Sequence, residues 1–328
     1  MTSVFRPAPA PAADRIAWPE DFGTRFIVFV DTEEEFDWDA PLARDHRSVE
    51  AIAALPAAHA RFASAGVPLA LMVDHPVATD PRAIDWIRPL LGKGTTVGTQ
   101  LHPWVNPPLD EELTPENSFV GNLPAALEEA KLIALTEAIT TAFGTRPTAY
   151  RAGRYGLGPA SFDLLAKHGY ALDSSMRPGF DYAPEGGPDF SAIDNHAFRV
   201  NGIVELPSTT VFTGAARGGG MGLYRGAGAI AKGRGVLARL RLLQRIPLTP
   251  EGIPVREALE AVRVAVGEGV RVLSFAFHSP SLAPGHTPYV RDETELRAFW
   301  DWWDKVLAEL DRLGAKPAGL EEVIAAAG

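Results

Sequence analysis

Six acidic residues follow one apolar run near the N-terminus of the chain. The stretch FIVFVDTEEEFDWDAP, residues 26–41, passes from apolar residues into Asp31, Glu33, Glu34, Glu35, Asp37 and Asp39. Carboxylates in such a position could serve as a general base or bind a metal ion. The chain has no cysteine and 8 histidines, so a metal site would have to use His, Asp or Glu side chains.

Polar residues also follow the other apolar runs of the chain. They are Asp74 and His75, Gln100 and His102, Arg151, Asp173, Glu205 and His278. Taken singly, Asp31 could cap a helix, and His102 or His278 could be a hydrogen-bonded core residue. Arg151 and Arg154 could likewise form a structural salt bridge. In a parallel barrel, however, the carboxyl ends of all strands meet on one face, so the repetition predicts a shared active face.

Short β-branched runs alternate with longer helical patterns along most of the chain. The predicted strands are 25–31, 67–74, 95–102, 147–151, 170–175, 202–207 and 270–278. This alternation predicts a mainly parallel sheet with helices outside it, an α/β fold. About seven strands, and no glycine-rich dinucleotide loop after the first, favour a closed or nearly closed barrel over an open sheet.

Composition limits the class of protein. With 328 residues, of which 46% are hydrophobic and 22% charged, the chain can bury a large core. The Pro/Ala-rich residues 1–23 predict a flexible arm, and residues 24–328 predict one barrel domain. No basic region followed by an apolar run, and no apolar window of membrane-spanning length, is visible, which favours a cytoplasmic location. A net charge of -10 argues against nucleic-acid binding.

A Gly/Arg-rich insertion at about 211–248 breaks the alternation. Residues 206–250 contain no acidic residue but seven basic ones. Its second half, VLARLRLLQR, predicts one amphipathic helix. The basic residues in 217–245 could contact an anionic substrate or a lipid head group at a membrane surface, or they could simply be solvated.

Four motifs carry a resemblance that covers roughly residues 24–325. They are DTEEEFDW, LHPW, RAGRYG and FHSPSL. Together they resemble the NodB-type polysaccharide deacetylases, and in particular a bacterial branch found near polysaccharide-biosynthesis functions. These carbohydrate esterases remove acetyl groups from sugars. The resemblance implies a distorted (β/α)7 barrel.

The resemblance also implies a role for individual side chains. Asp31 matches the catalytic base, His278 the acid, and Arg151 the residue that pairs with the base. Glu33 and His102 match metal ligands, with Gln100 where the family has a second histidine. Arg154 and Tyr155 match pocket residues, and Trp38 and Trp104 follow strand ends where they could contact a sugar. By contrast, the helical spacing of Phe299, Trp302 and Trp303 predicts core packing.

The implied activity is removal of an acetyl group from an N- or O-acetylated sugar by a metal-activated water. The implied cofactor is a divalent metal, with zinc first and manganese, cobalt or nickel as alternatives. Thr32 and Gln100 depart from the family pattern, which keeps open a catalytically inactive barrel that binds a glycan or a partner protein. A hydrolase of a small cyclic amide or ureide is the third hypothesis.

Overall fold

The fold combines one large sheet with surrounding helices in a computed structural model that describes residues 4–38 and 40–328. The strands are β1 (Arg25–Thr32), β2 (Leu69–Val73), β3 (Thr96–Leu101), β4 (Ala149–Ala152), β5 (Leu172–Asp173), β6 (Phe198–Val200), β7 (Ile203–Glu205), β8 (Thr210–Thr213), β9 (Gln244–Pro247), β10 (Val272–His278) and β11 (Lys316–Pro317). The helices are α1 (Leu55–Ser64), α2 (His75–Thr79), α3 (Pro81–Ile87), α4 (Ala125–Phe143), α5 (Ser161–Lys167), α6 (Gly220–Gly228), α7 (Gly233–Arg239), α8 (Val255–Gly267), α9 (Glu293–Arg312) and α10 (Leu320–Ala327).

The large sheet has the strand order β10-β1-β2-β3-β4-β5-β7-β6, with β11 paired to β1. Its pairs are parallel except for β6 with β7. Strands β1 and β2 are buried almost throughout, as expected for a parallel sheet covered on both faces. The sheet curls into a half-barrel with helices outside it, and this confirms the predicted distorted α/β barrel.

The two-stranded ribbon of β8 and β9 lies beside β10, at the edge of the large sheet. The Leu248 N–H donates to the Thr209 carbonyl at 3.1 Å, and the Ala276 N–H of β10 donates to the Leu248 carbonyl at 3.2 Å. Neither ribbon strand was predicted from the sequence. The helix predicted over VLARLRLLQR is wrong in its second part, because α7 ends at Arg239 and β9 begins at Gln244. Helix α6 lies in the glycine-rich half of the insertion, for which no helix was predicted.

Helix α9 packs an aromatic cluster against the last parallel strand. Phe299, Trp302 and Trp303 are buried, and the Trp303 ring lies 5.7 Å from the ring of Phe277 in β10. Burial of each ring contributes about 2–3 kcal/mol. The predicted role of these aromatic residues in core packing is confirmed.

The segment before β1 runs along the body of the protein. The Ile16 N–H donates to the Ala197 carbonyl at 2.8 Å, and Arg15 forms an ion pair with Asp194 at 2.8 Å. The flexibility of the arm 1–23 and the division of the chain stay predictions, and residues 1–3 lie outside the described part. No described helix combines the length and apolar character needed to cross a membrane. The cellular location stays a prediction.

Candidate active site

One cavity of about 730 Å³ opens where the parallel strands end. Strands β1 and β10 are paired in register, so Asp31 lies directly beside His278. All ten residues predicted for the site line this cavity: Asp31, Glu33, Trp38, Gln100, His102, Trp104, Arg151, Arg154, Tyr155 and His278. The structure therefore brings the predicted set together, while the role of each residue stays a prediction.

Asp31 lies between two basic side chains. The Arg151 Nη1 donates to Asp31 Oδ1 at 2.8 Å, and the His278 Nε2 lies 3.7 Å from Asp31 Oδ2. Arg151 is itself held by Ser174, whose Oγ accepts from Nη2 at 3.1 Å. Both members of the Asp31–Arg151 pair are buried, and the guanidinium fixes the orientation of the carboxylate.

Glu251 holds the other nitrogen of His278. Its Oε2 lies 2.7 Å from His278 Nδ1, and its Oε1 accepts from the His278 N–H at 3.0 Å. Burial favours the neutral ring, but the charge of Glu251 and then those of the nearby carboxylates raise the pKa of His278 well above its usual range. The ring can thus present a proton on Nε2 toward the cavity. Glu251 lies in a loop after β9, and no strand-end pattern identified it.

The acidic residues at the end of β1 lie in three different environments. Glu33 lines the cavity, whereas the Glu34 carboxylate lies behind the His102 ring and contacts its Nδ1. Glu35 accepts hydrogen bonds from Ser48 Oγ at 2.8 Å and from the Ala51 N–H, which fixes the turn before α1. Asp39 lies outside the described residues. Because successive side chains point in different directions, only part of the carboxylate run reaches the cavity.

A cluster of Glu34, Asp74 and His102 lies behind the cavity wall, with ligand atoms within 4.8 Å of one another. Glu34 Oε2 lies 2.8 Å from His102 Nδ1, and its Oε1 accepts from Trp104 Nε1 at 2.8 Å. Asp74 accepts from the N–H groups of Glu34 and Val77. Burial, and then the charge of Glu34, raise the pKa of Asp74 well above its usual range, so the pair retains a proton.

This cluster could hold a metal, but its oxygens already accept hydrogen bonds. We therefore interpret Glu34 and Asp74 as the support of His102, since metal-binding histidines usually donate their second N–H to a carboxylate. The 1% exposure of Trp104 and its stacking on His102 at 4.4 Å agree with a supporting position. His102 Nε2 then points toward Glu33 and Gln100.

Glu33, Gln100 and His102 provide a second set of metal-binding atoms, and this set faces the cavity. Glu33 Oε1 and Gln100 Oε1 are buried and have no hydrogen-bond partner within the described part of the chain. His102 Nε2 lies 3.5 Å from Glu33 Oε2 and 3.1 Å from the Gln100 amide nitrogen. Burial raises the pKa of Glu33 to about 8, an effect that a bound cation would oppose. Glu33, Gln100 and His102 thus offer a carboxylate, an amide and an imidazole, which are side-chain groups that bind divalent cations.

The turn after β4 forms part of the same wall. A Cβ atom on Gly153 would lie 2.3 Å from His102 Cδ2, so only glycine allows this approach. Arg154 and Tyr155 both have left-handed backbone angles, with φ of 53° and 59°. Such strain in two consecutive non-glycine residues is typical of binding and catalytic sites.

Sequence reasoning missed Glu251, Arg177 and Tyr289 as cavity residues. Arg177 and Tyr289 lie in loops, where no periodic pattern indicates the direction of a side chain. The Tyr289 ring contacts Trp38 at 5.7 Å, and Trp38 contacts His278 at 5.1 Å. Tyr289 lies in the sequence GHTPYV, whose residue spacing does not indicate that the side chain approaches Trp38.

The fold and the site together define a class of proteins with a curled parallel sheet and a cavity lined by acidic and basic side chains at its carboxyl edge. No protein-family model and no curated protein matches the chain. Among solved structures it is similar to a Mycobacterium smegmatis protein assigned to the polysaccharide deacetylases. The identity is 16%, the TM-score is 0.57, and the match covers 98% of this chain and 94% of that one.

Two further solved structures have the same fold. A Pseudomonas aeruginosa PAO1 protein assigned to the polysaccharide deacetylases matches at 14% identity, covering 97% of this chain and 94% of that one, with a TM-score of 0.53. An allantoinase, Puue, also matches at 14% identity, covering 97% and 93%, with a TM-score of 0.54. These likenesses show a shared fold, and the roles of the four motifs stay predictions.

Proposed function

We propose that the protein is a hydrolase that removes an acetyl group from an N- or O-acetylated sugar, cleaving a non-peptide carbon–nitrogen bond or an ester. The observation that carries this proposal is the pair of supported side chains at the ends of β1 and β10. Asp31 is held by Arg151, and His278 is held by Glu251. A buried carboxylate beside a protonated imidazole is the arrangement that general base and general acid catalysis require.

Each member of the pair has a proton to move. Asp31, oriented by its ion pair with Arg151, takes the proton of the attacking water. His278, kept protonated by Glu251, donates its Nε2 proton to the leaving amine or alkoxide. Arg154, Tyr155 and Trp38 line the cavity and bind the sugar.

Glu33, Gln100 and His102 would hold a divalent metal, which supplies a lowered pKa for its bound water and polarises the acetyl carbonyl. We propose zinc first, with manganese, cobalt or nickel as alternatives. An amide oxygen, such as that of Gln100, suits a harder metal ion than the one that an imidazole nitrogen suits. Glu34 and Asp74 support His102 from behind.

The test combines metal content with turnover. Elemental mass spectrometry of untagged protein purified without chelator is compared between the wild type and His102→Ala, and acetate release from acetylated oligosaccharides is measured for the wild type and Asp31→Asn. We expect near-stoichiometric metal that His102→Ala loses, and acetate release that Asp31→Asn abolishes while its circular dichroism spectrum is kept. Full activity of Asp31→Asn would reject the mechanism.

The same assay separates the two other hypotheses. Turnover of a small cyclic ureide without acetate release would move the proposal to cyclic amides. Glycan binding without metal and without turnover of either substrate would instead indicate an inactive binding barrel.

We further propose that the basic segment 217–245 contacts an anionic membrane surface that carries a lipid-linked substrate. Four apolar side chains of this segment are exposed: Leu223, Ile230, Val236 and Leu240. Ile230 is 68% exposed and Leu240 is 62% exposed. Among the described residues, Lys232, Arg239 and Arg241 have no ion-pair partner. Exposed apolar residues interspersed with unpaired cations are typical of peripheral membrane contacts.

A further inference from the structure

Arg177 forms part of the cavity wall in the loop that follows β5. Its guanidinium carbon lies 3.9 Å from the ring centre of Phe180 and 5.0 Å from that of Tyr155. Its Nη1 donates to the Tyr182 hydroxyl at 3.2 Å. The side chain is half-buried within an aromatic wall, and β5, the strand before it, lies four positions from β1 in the sheet order.

Arg177 differs from the other two arginines of the cavity in its lack of a carboxylate. Arg151 pairs with Asp31 at 2.8 Å, and Arg154 pairs with Glu185 at 2.7 Å. Arg177 forms no ion pair with any residue of 4–38 or 40–328, and its Nε and Nη2 have no hydrogen-bond partner there. A guanidinium keeps its charge at all ordinary pH values, so an anion is the missing partner of this half-buried group.

The charges across the cavity favour one orientation of an anionic ligand. At the chemical end Asp31 is paired with Arg151 and Glu251 with His278, whereas Arg177 offers a cation that has no carboxylate partner among the described residues. The cavity volume of about 730 Å³ exceeds what an acetyl group needs and is within the range of small-molecule sites. A ligand with its acetyl group beside Asp31 therefore has room to extend toward the wall that contains Arg177.

We propose that Arg177 binds a carboxylate or phosphate group of the acetylated substrate and so selects anionic sugars over neutral ones. This inference rests on the proposed function, since it assumes that the acetyl group lies at the Asp31 end. A planar guanidinium binds either anion through two parallel hydrogen bonds, and the free Nε and Nη2 are adjacent donors of that kind. The contact with Phe180 and Tyr155 holds the guanidinium in place for the anion.

The test measures binding by isothermal titration calorimetry, without turnover. The probes are N-acetylglucosamine, its 6-phosphate, its 6-carboxylate and inorganic phosphate. They are titrated into the wild type, Arg177→Met, Arg177→Lys and Arg245→Met. Arg245 is a matched control because its guanidinium also lies over Phe180, at 3.4 Å, but it does not line the cavity.

We expect the wild type to bind at least one charged sugar about ten- to a hundredfold more tightly than the neutral sugar, as expected for hydrogen bonds to a charged group. Arg177→Met should lose this preference, Arg177→Lys should keep part of it, and Arg245→Met should keep all of it. The 6-phosphate and 6-carboxylate arms identify which anion is preferred.

Two results would overturn the proposal. One is a wild type without preference for charged probes, which includes the case where no probe binds. The other is an equal loss in Arg177→Met and Arg245→Met, which would assign Arg177 to wall stability. Because binding is read without hydrolysis, an anion preference with no acetate release would leave this inference standing while the proposed function fails. Acetate release from neutral sugars, with no preference for anionic probes in binding, would support the proposed function while this inference fails.

Discussion

At the scale of single residues, the cavity depends on side chains that support other side chains. His278 can act as an acid at neutral pH only if its proton is retained, and Glu251 is its nearest charged partner at 2.7 Å. We predict that Glu251→Gln lowers the pKa of His278, because the variant removes the nearest negative charge. An acid loses activity as the pH rises through its pKa, so the alkaline limb of kcat/KM should move to lower pH.

The control for this change is Glu185→Gln. Glu185 also lines the cavity, but its carboxylate pairs with Arg154 at 2.7 Å. The Glu185→Gln variant should have the same alkaline limb of the pH profile as the wild type. If Glu251→Gln leaves that limb unmoved as well, His278 is not the titrating acid.

The two candidate metal sets make opposite predictions for neighbouring glutamates. If Glu33 is a ligand and Glu34 supports His102, Glu33→Gln should abolish near-stoichiometric metal binding. Glu34→Gln should weaken metal affinity by about 10–100-fold, as supporting carboxylates usually do. The affinities are measured by competition with a chelator. The reverse order of effects would place the metal in the Glu34–Asp74–His102 cluster.

At the scale of elements, the turn after β4 and the end of β3 must approach closely for His102 to keep its position. In Gly153→Ala the added methyl would lie 2.3 Å from His102 Cδ2 and 2.7 Å from the Leu101 carbonyl. We predict a stability loss of about 1–3 kcal/mol and reduced metal content, because the ring must move. Gly267→Ala in α8 is the control, since nothing lies within 4 Å of its Cβ. Equal metal content in both variants would contradict this account.

Helix α4 contains a buried carboxyl group that should make stability depend on pH. Burial raises the pKa of Glu128 from its ordinary 4.5 to about 7, although Ser161 donates a hydrogen bond to it. Between these values the folded chain holds a proton that the unfolded chain has lost, so stability falls as the pH rises. The loss is at most about 3 kcal/mol.

Glu128→Gln should remove that dependence. Urea denaturation at about pH 5 and about pH 8 should show a smaller fall in stability for this variant than for the wild type. Glu137→Gln, on an exposed part of the same helix, should behave as the wild type does. A variant whose stability falls as much as that of the wild type would show that Glu128 ionises freely in the folded chain.

At the scale of the whole molecule, the sequence predicted the parallel sheet and the membership of the cavity for a common reason. Buried parallel strands leave continuous apolar runs, and polar residues such as Asp31 and His278 mark where those runs end. What the sequence could not predict depends on loops and on pairing. The position of Glu251 beside His278 and the ribbon of β8 and β9 have no periodic signal, because each depends on contacts between segments distant in the chain.

The charge distribution of the whole molecule leads to the last prediction. The chain has a net charge of -10, yet its basic segment has three exposed cations that form neither an ion pair nor a side-chain hydrogen bond among the described residues: Lys232, Arg239 and Arg241. We predict binding to vesicles that contain anionic lipid, weaker at high salt, and measured by co-sedimentation. Changing all three cations to Gln should weaken binding roughly a hundredfold, at about 1 kcal/mol per residue.

The matched control removes the same charge elsewhere on the surface. Lys93, Arg256 and Lys316 are also exposed, so changing these three to Gln alters the net charge equally without touching the basic segment. If the segment itself makes the contact, this control should bind vesicles nearly as well as the wild type. Equal weakening in both triple variants would show that net charge alone causes the effect. If the wild type does not bind the vesicles, the membrane contact is removed from the proposed function.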